Sequence, residues 1–193
     1  MNIDEKKSLA AELENKFASE FEEISTFIYR NPELSAEEFK SAEYLVDYLR
    51  NKDFNVIYPY GNEETAFRAD KVNGEGPVIA ILAEYDALPG FGENGEPAHA
   101  CGHNWIAAVA AGTGVVLGEM LDHFKGTVSV IGTPAEETYG GKILMLEEHL
   151  FDDVDIVLEA HMEERTDIMA PALAMDSLRF SFKGKAAHAA QYP

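Results

Sequence analysis

The chain has 193 residues, 46% of them hydrophobic and 10% aromatic, which is enough for one sizeable core and too apolar for a disordered segment. Its formal net charge of −20, from 35 acidic against 15 basic residues, argues against nucleic acid and against an anionic membrane surface as partners. A single cysteine leaves no intrachain disulfide and fits a reducing compartment. The N-terminus lacks the apolar core of a signal peptide and no stretch is apolar enough to span a membrane, so a cytoplasmic location is expected.

Leu9, Leu13, Phe17, Phe21, Ile24 and Ile28 recur at helical spacing and predict a long amphipathic first helix, ended by Asn31-Pro32. Ser35 followed by Glu38 reads as a capping box for a second helix, with Phe39, Ala42, Val46 and Leu49 as its apolar stripe. Strand patterns begin near Phe54–Ile57 and span Thr65–Lys71, with a turn at Asn73–Gly76. Val78–Ala83 is a continuous apolar run, the pattern of a strand covered on both faces. A Gly/Pro-rich loop follows, from Pro89 to Pro97. Residues 104–122 then read as a buried helix despite Gly112 and Gly114. Val128–Ile131 is a strand, Gly140-Gly141 opens a helix to about His149, and Val154–Leu158 is a further strand. Alternating strands and helices imply an α/β sheet, and ligands of such sheets bind beyond the carboxyl ends of the strands. After Pro171 the pattern changes. Ala174–Lys183 reads as an alternating strand, and residues 173–193 as the beginning of a second domain after a first over 1–172.

Three segments carry chemistry. They are His99-Ala100-Cys101-Gly102-His103-Asn104, Thr133-Pro134-Ala135-Glu136-Glu137 and Glu159-Ala160-His161, each after an apolar run or the loop that follows one. Cysteine, histidine and glutamate together suit a zinc-like or manganese-like ion. Either residue alone, Cys101 or His103, reads as an ordinary buried group; their joint occurrence with Glu136-Glu137 and His161 shifts the reading to metal. In the paired glutamates, one carboxylate can bind the ion while its neighbour moves a proton between the attacking water and a leaving amine. Asp86 fits either a strand-end cap or a group that orients a liganding histidine. His99 reads as structural, His123 and His149 as surface or helix-end residues, and Trp105 as core. A Cys101–His103 nucleophilic dyad is too closely spaced, a zinc deaminase needs a second cysteine, and phosphate and dinucleotide loops are absent.

Glu84-Tyr85-Asp86-Ala87-Leu88-Pro89, His-Ala-Cys-Gly-His-Asn and Gly132-Thr133-Pro134-Ala135-Glu136-Glu137, in this order, resemble the amidohydrolase branch of the aminoacylase/carboxypeptidase-like metallopeptidases. That branch includes hippurate hydrolases, N-acyl-amino-acid amidohydrolases and auxin-conjugate hydrolases. Asn104, where many members carry Asp, brings the chain nearer the p-aminobenzoyl-glutamate and β-alanyl-dipeptide hydrolases. The resemblance implies a three-layer α/β catalytic domain of the co-catalytic zinc-peptidase type, with an α+β lid or dimerisation domain of which this chain holds the first strand. It implies two divalent ions per full-length subunit, zinc, manganese or cobalt, with Cys101, His103, Glu137 and His161 as ligands. Glu136 is implied as general base and acid, Asp86 as the group orienting a ligand, and His188 as a lid histidine that reaches the substrate. The expected function is hydrolysis of an amide bond in N-acyl amino acids, aminobenzoyl-glutamate-like compounds or small dipeptides, by a protein that is a homodimer at full length. Family members are about twice as long and place a last liganding histidine near their C-terminus. The alternative expectation is therefore an inactive metal-binding or interaction fragment.

Overall fold

The computed structural model describes residues 1–168, together with 178, 180–185, 188 and 190. Met1–Met162 forms one compact unit, and a second begins at Glu163. The elements of the first unit run in the order α1 (Ile3–Arg30), α2 (Phe39–Arg50), β1 (Asn55–Ile57), β2 (Phe67–Asn73), β3 (Val78–Ala83), α3 (His103–Glu119), β4 (Gly126–Gly132), α4 (Gly141–Glu147) and β5 (Ile156–Leu158). The expected strand over 174–183 falls partly outside the described residues, and Leu178 and residues 180–183, which are described, are not in a strand.

The five strands lie in the order β1-β2-β4-β3-β5. β3, β4 and β5 are mutually parallel, whereas β1 and β2 join antiparallel on the β4 side. Side chains alternate across the sheet as the pleat requires. Phe67, Ala69, Ile81, Ala83, Val128 and Val130 enter one core with α1, α2 and α3. Ala80, Leu82 and Ile131 enter a second core with Met145 of α4. The result is the expected three-layer α/β arrangement. Ile24, Ile28, Leu45 and Leu49 are completely buried, each contributing about 1.5–3 kcal/mol of apolar burial.

Gly114 has a packing reason inside α3: a Cβ there would collide with Val130 of β4, so its absence lets helix and sheet approach closely. Two expectations about side chains are corrected. Trp105 is 41% exposed and not core, because it sits on the outward side of the first turn of α3. Phe39, expected in the apolar stripe of α2, is also 41% exposed at the helix start.

The predicted capping box is not formed. Phe39 begins α2 and neither Ser35 nor Glu38 caps it by a side-chain bond. Glu33 does so, its carboxylate accepting from Lys40 N–H at 3.0 Å and Ser41 N–H at 2.9 Å. Ser35 and Glu38 are thereby released to other partners, both of which belong to the site.

Candidate metal centre

The parallel register explains why the three chemical segments meet. Ala83 lies beside Gly132, and Ile81 beside Leu158. Continuing those pairs one turn beyond the strands brings the chain after β3, β4 and β5 to one edge of the sheet. Glu84 and Asp86 follow β3, Glu136 and Glu137 follow β4, and Glu159 and His161 follow β5. The chain leading into β5 is itself tied to the sheet. Arg68 of β2 grips Asp153 through two hydrogen bonds of 2.7 Å, and Val78 N–H donates to Asp155 at 2.8 Å.

Cys101 and His103 arrive from the loop before α3. Gly102 between them has φ +87°, and a Cβ there would collide with the Met162 sulfur. Glycine is therefore required on both conformational and spatial grounds. His103 is the first residue of α3 and is fully buried. Its Nδ1 lies 2.8 Å from Asp86 Oδ1, so its Nε2 faces the shared edge. Cys101 Sγ lies 3.5 Å from His161 Nε2.

Asp86 is a hub. Besides His103, it accepts from Ser35 Oγ at 2.8 Å and from Glu137 N–H at 3.0 Å. Burial pushes its carboxyl pKa up, but these hydrogen bonds outweigh burial and hold it below the ordinary value. Burial likewise pulls His103 down, and the Asp86 hydrogen bond with the nearby Glu84 charge leaves it raised. Burial and the Glu137 carboxylate push the Cys101 thiol up to about 12, the value of a thiol with anionic neighbours and no cation beside it.

The Glu136-Glu137 loop is built on a left-handed residue, Ala135, at φ 58°. Fully buried Glu38 holds it there, Oε1 accepting from Ala135 N–H at 2.8 Å and Oε2 from Thr65 Oγ1 at 2.8 Å. Ala135 carbonyl in turn accepts from Gly140 N–H at 3.0 Å. The Glu137 side chain is largely buried, 3.7 Å from His103 Nε2, whereas that of Glu136 is more open at 38% exposure and 3.8 Å from the same nitrogen. Burial, followed by repulsion from Glu136, raises the Glu137 carboxyl against the opposing pull of His103.

Glu84 is the group that the sequence reading passed over. It is buried at the centre of this edge and ion-paired with Lys142 of α4, which also pairs with Glu159 at 3.1 Å. Its place at the end of an apolar strand carries no local signal of burial. Among the other histidines, His99 is buried with neither ring nitrogen hydrogen-bonded. His149 is exposed and paired with Asp152 at 3.1 Å, and His123 closes a short turn, Leu121–His123, after α3. His188 belongs to the second unit, where its side chain is exposed and its Nδ1 accepts from Ala190 N–H at 3.3 Å.

Among the described residues, two overlapping donor sets each have their ligand atoms within 4.8 Å of one another: Cys101, His103 and His161, and His103, Glu136 and Glu137. His103 Nε2, Glu137 Oε1 and Glu84 Oε2 are buried there without a hydrogen-bond partner. Each such orphan costs about 1–3 kcal/mol, and buried polar atoms are normally satisfied. A divalent cation satisfies all three at once, so these residues fit a metal ion. Sulfur, imidazole and carboxylate donors suit zinc, and the oxygens also admit manganese or cobalt.

Comparison with known proteins agrees with the geometry. Residues 80–172, just under half of the chain, match the model of peptidase family M20/M25/M40. The chain is 37% identical over 187 residues to one of the subunits of p-aminobenzoyl-glutamate hydrolase from Escherichia coli, covering 90% of this chain and 39% of that protein. It is 35% identical over 200 residues to a mouse Xaa-Arg dipeptidase, covering 97% and 45%. The YXEP protein of Bacillus subtilis, a dinuclear metal-binding peptidase of the same family, superposes with a TM-score of 0.68 at 28% identity, over 77% of this chain and 44% of that one. The chain thus spans less than half the length of these relatives. Among the described residues, no helix is long and apolar enough to cross a membrane.

Proposed function

We propose that this chain forms the metal-binding part of a metal-dependent amidohydrolase that cleaves an amide bond in N-acyl amino acids, aminobenzoyl-glutamate-like compounds or small dipeptides. The observation that carries the reading is the convergence of His103 Nε2, Glu137 Oε1 and Glu84 Oε2, all buried and unpartnered, where Cys101 and His161 also arrive. Relatives named for hydrolysis of aminobenzoyl-glutamate, of Xaa-Arg dipeptides and of N-acetyl-L-cysteine support the substrate class.

In this reading Cys101, His103, Glu137 and His161 hold divalent metal, two ions per full-length subunit, of zinc, manganese or cobalt. When bound, the metal polarises the amide carbonyl and lowers the pKa of water at the site. Asp86 fixes the His103 ring so that Nε2 carries the lone pair towards the site, and it anchors Glu137 through the backbone. Glu136, the more exposed of the two glutamates, accepts the proton of the attacking water and passes it to the departing nitrogen. His188 meets the substrate from the lid. The substrate is a small molecule, the full-length protein is a homodimer, and the location is cytoplasmic.

The test is Glu136→Gln in the full-length protein, assayed for metal content and for amide hydrolysis. Retained metal with turnover reduced by about a hundredfold or more supports the role of Glu136; unchanged turnover overturns it. The alternative is an inactive metal-binding or interaction fragment. It predicts that this chain alone binds metal without hydrolysing any of these amides.

A further inference from the structure

Glu84 has one oxygen too many for a structural ion pair. Oε1 is engaged by Lys142 Nζ. Oε2 has no partner, although the side chain is only 2% exposed. That free oxygen lies 3.4 Å from His103 Nε2 and 3.9 Å from His161 Nε2.

The two imidazoles decide what it faces. His103 has its Nδ1 against Asp86 Oδ1 at 2.8 Å, and His161 has its Nδ1 against the Met162 carbonyl at 2.8 Å. An oxygen acceptor at Nδ1 selects the tautomer protonated there, which leaves the lone pair on Nε2. Two imidazole Nε2 atoms and a carboxylate oxygen then face one small volume, and a cation placed between them would satisfy all three. We propose, building on the metal-centre reading above, that Glu84 is a further protein donor to the metal, presenting Oε2 while Lys142 holds Oε1.

Lys142 is the positioning residue. It stands second in α4, and its ammonium bridges Glu84, from the end of β3, to Glu159, from the end of β5. The bridge sets the carboxylate plane of Glu84 and directs Oε2 into the site. It also offsets part of the negative charge gathered there by Glu84, Glu136, Glu137 and Glu159. An added carboxylate oxygen makes the donor set harder, so Glu84 should matter more for manganese than for zinc, which keeps Cys101, His103 and His161.

The experiment compares equilibrium binding of Mn²⁺ and Zn²⁺ to this chain and to Glu84→Gln, by calorimetry with metal analysis after dialysis. Gln keeps the shape and an acceptor for Lys142 but removes the anionic oxygen. The expected result is a loss of Mn²⁺ affinity of about tenfold or more, with a smaller loss for Zn²⁺. Unchanged affinity for both ions in a folded variant overturns the proposal and leaves Glu84 as the partner of Lys142 only. Should Glu84→Gln fail to fold, Glu84→Asp decides. It keeps the charge opposite Lys142, withdraws the oxygen by one methylene, and is expected to lose Mn²⁺ affinity in the same way. If the unsubstituted chain binds neither ion, the metal-centre reading itself fails; if it binds both and the variants match it, only the role of Glu84 does.

Discussion

Asp86 Oδ1 lies 2.8 Å from His103 Nδ1, with both side chains fully buried, and the other Asp86 oxygen accepts the backbone N–H of Glu137. One carboxylate thus sets the ring of one candidate ligand and the main chain of another. Removing it leaves His103 free to turn and the Glu137 N–H unpaired. Asp86→Ala is expected to lower metal affinity by about 10–100-fold, measured by competition with a chromophoric chelator. Affinity within twofold of the unsubstituted chain would show that His103 needs no such support.

Glu38 carries the loop of the paired glutamates, and its ionisation should be visible in stability. Burial is the main influence on its carboxyl, outweighing the hydrogen bonds from Ala135 and Thr65, so its pKa is raised above the ordinary 4.5. A raised folded-state pKa means that the folded chain holds the proton more tightly than the unfolded chain. That contribution is complete below the unfolded value and is lost as pH rises through the folded one. The stability of the chain relative to Glu38→Gln should therefore fall as pH rises from 4.5 towards neutrality, as followed by urea unfolding across pH. A difference that is flat or rises with pH contradicts the assignment.

Glu38→Ala tests the same residue by removal. It leaves Ala135 N–H and Thr65 Oγ1 buried without an acceptor. A destabilisation of about 2–5 kcal/mol is expected from two such groups, read from denaturant unfolding at neutral pH. A loss of less than about 0.5 kcal/mol, below the cost of even one lost hydrogen bond, would mean that the Ala135 conformation is held by other contacts.

Gly102→Ala should be costly for two separable reasons. The left-handed backbone at φ +87° costs a residue with a Cβ about 1–2 kcal/mol, and that Cβ meets the Met162 sulfur. Adding Met162→Ala should recover the second part only. Thermal unfolding of the single and double variants checks this. Full recovery in the double variant would show that the backbone itself accepts alanine there.

Much of this was legible in the chain because apolar periodicity depends on local rules. The runs Val78–Ala83 and Val128–Ile131 can be little else than covered strands, and the stripe from Phe17 to Ile28 can be little else than a helix face. Of the candidate site residues, Glu136, Glu137 and His161 are read from their place after such strands, and Cys101 and His103 from theirs at the end of the loop before α3. What failed was the assignment of partners at long range. Ser35 and Glu38 match a helix-start pattern, but Leu34 pairs with Ala87, which brings Ser35 to Asp86 and leaves Glu33 to cap α2. Glu84 was missed because a glutamate ending an apolar strand has the pattern of a solvated end. Only the approach of Lys142 from α4, a contact across 58 residues, reveals a buried carboxylate with a free oxygen.

The ends of β3, β4 and β5 and the loop before α3 are held to build one metal centre in which Cys101 takes part. Titration of the chain with Co²⁺, followed by absorption, tests this most directly. The expected result is saturable binding with a near-ultraviolet thiolate-to-cobalt charge-transfer band, lost in Cys101→Ser, and an apparent affinity at least about tenfold weaker in His161→Ala. The absence of that band at saturating Co²⁺ in the folded, unsubstituted chain would contradict it.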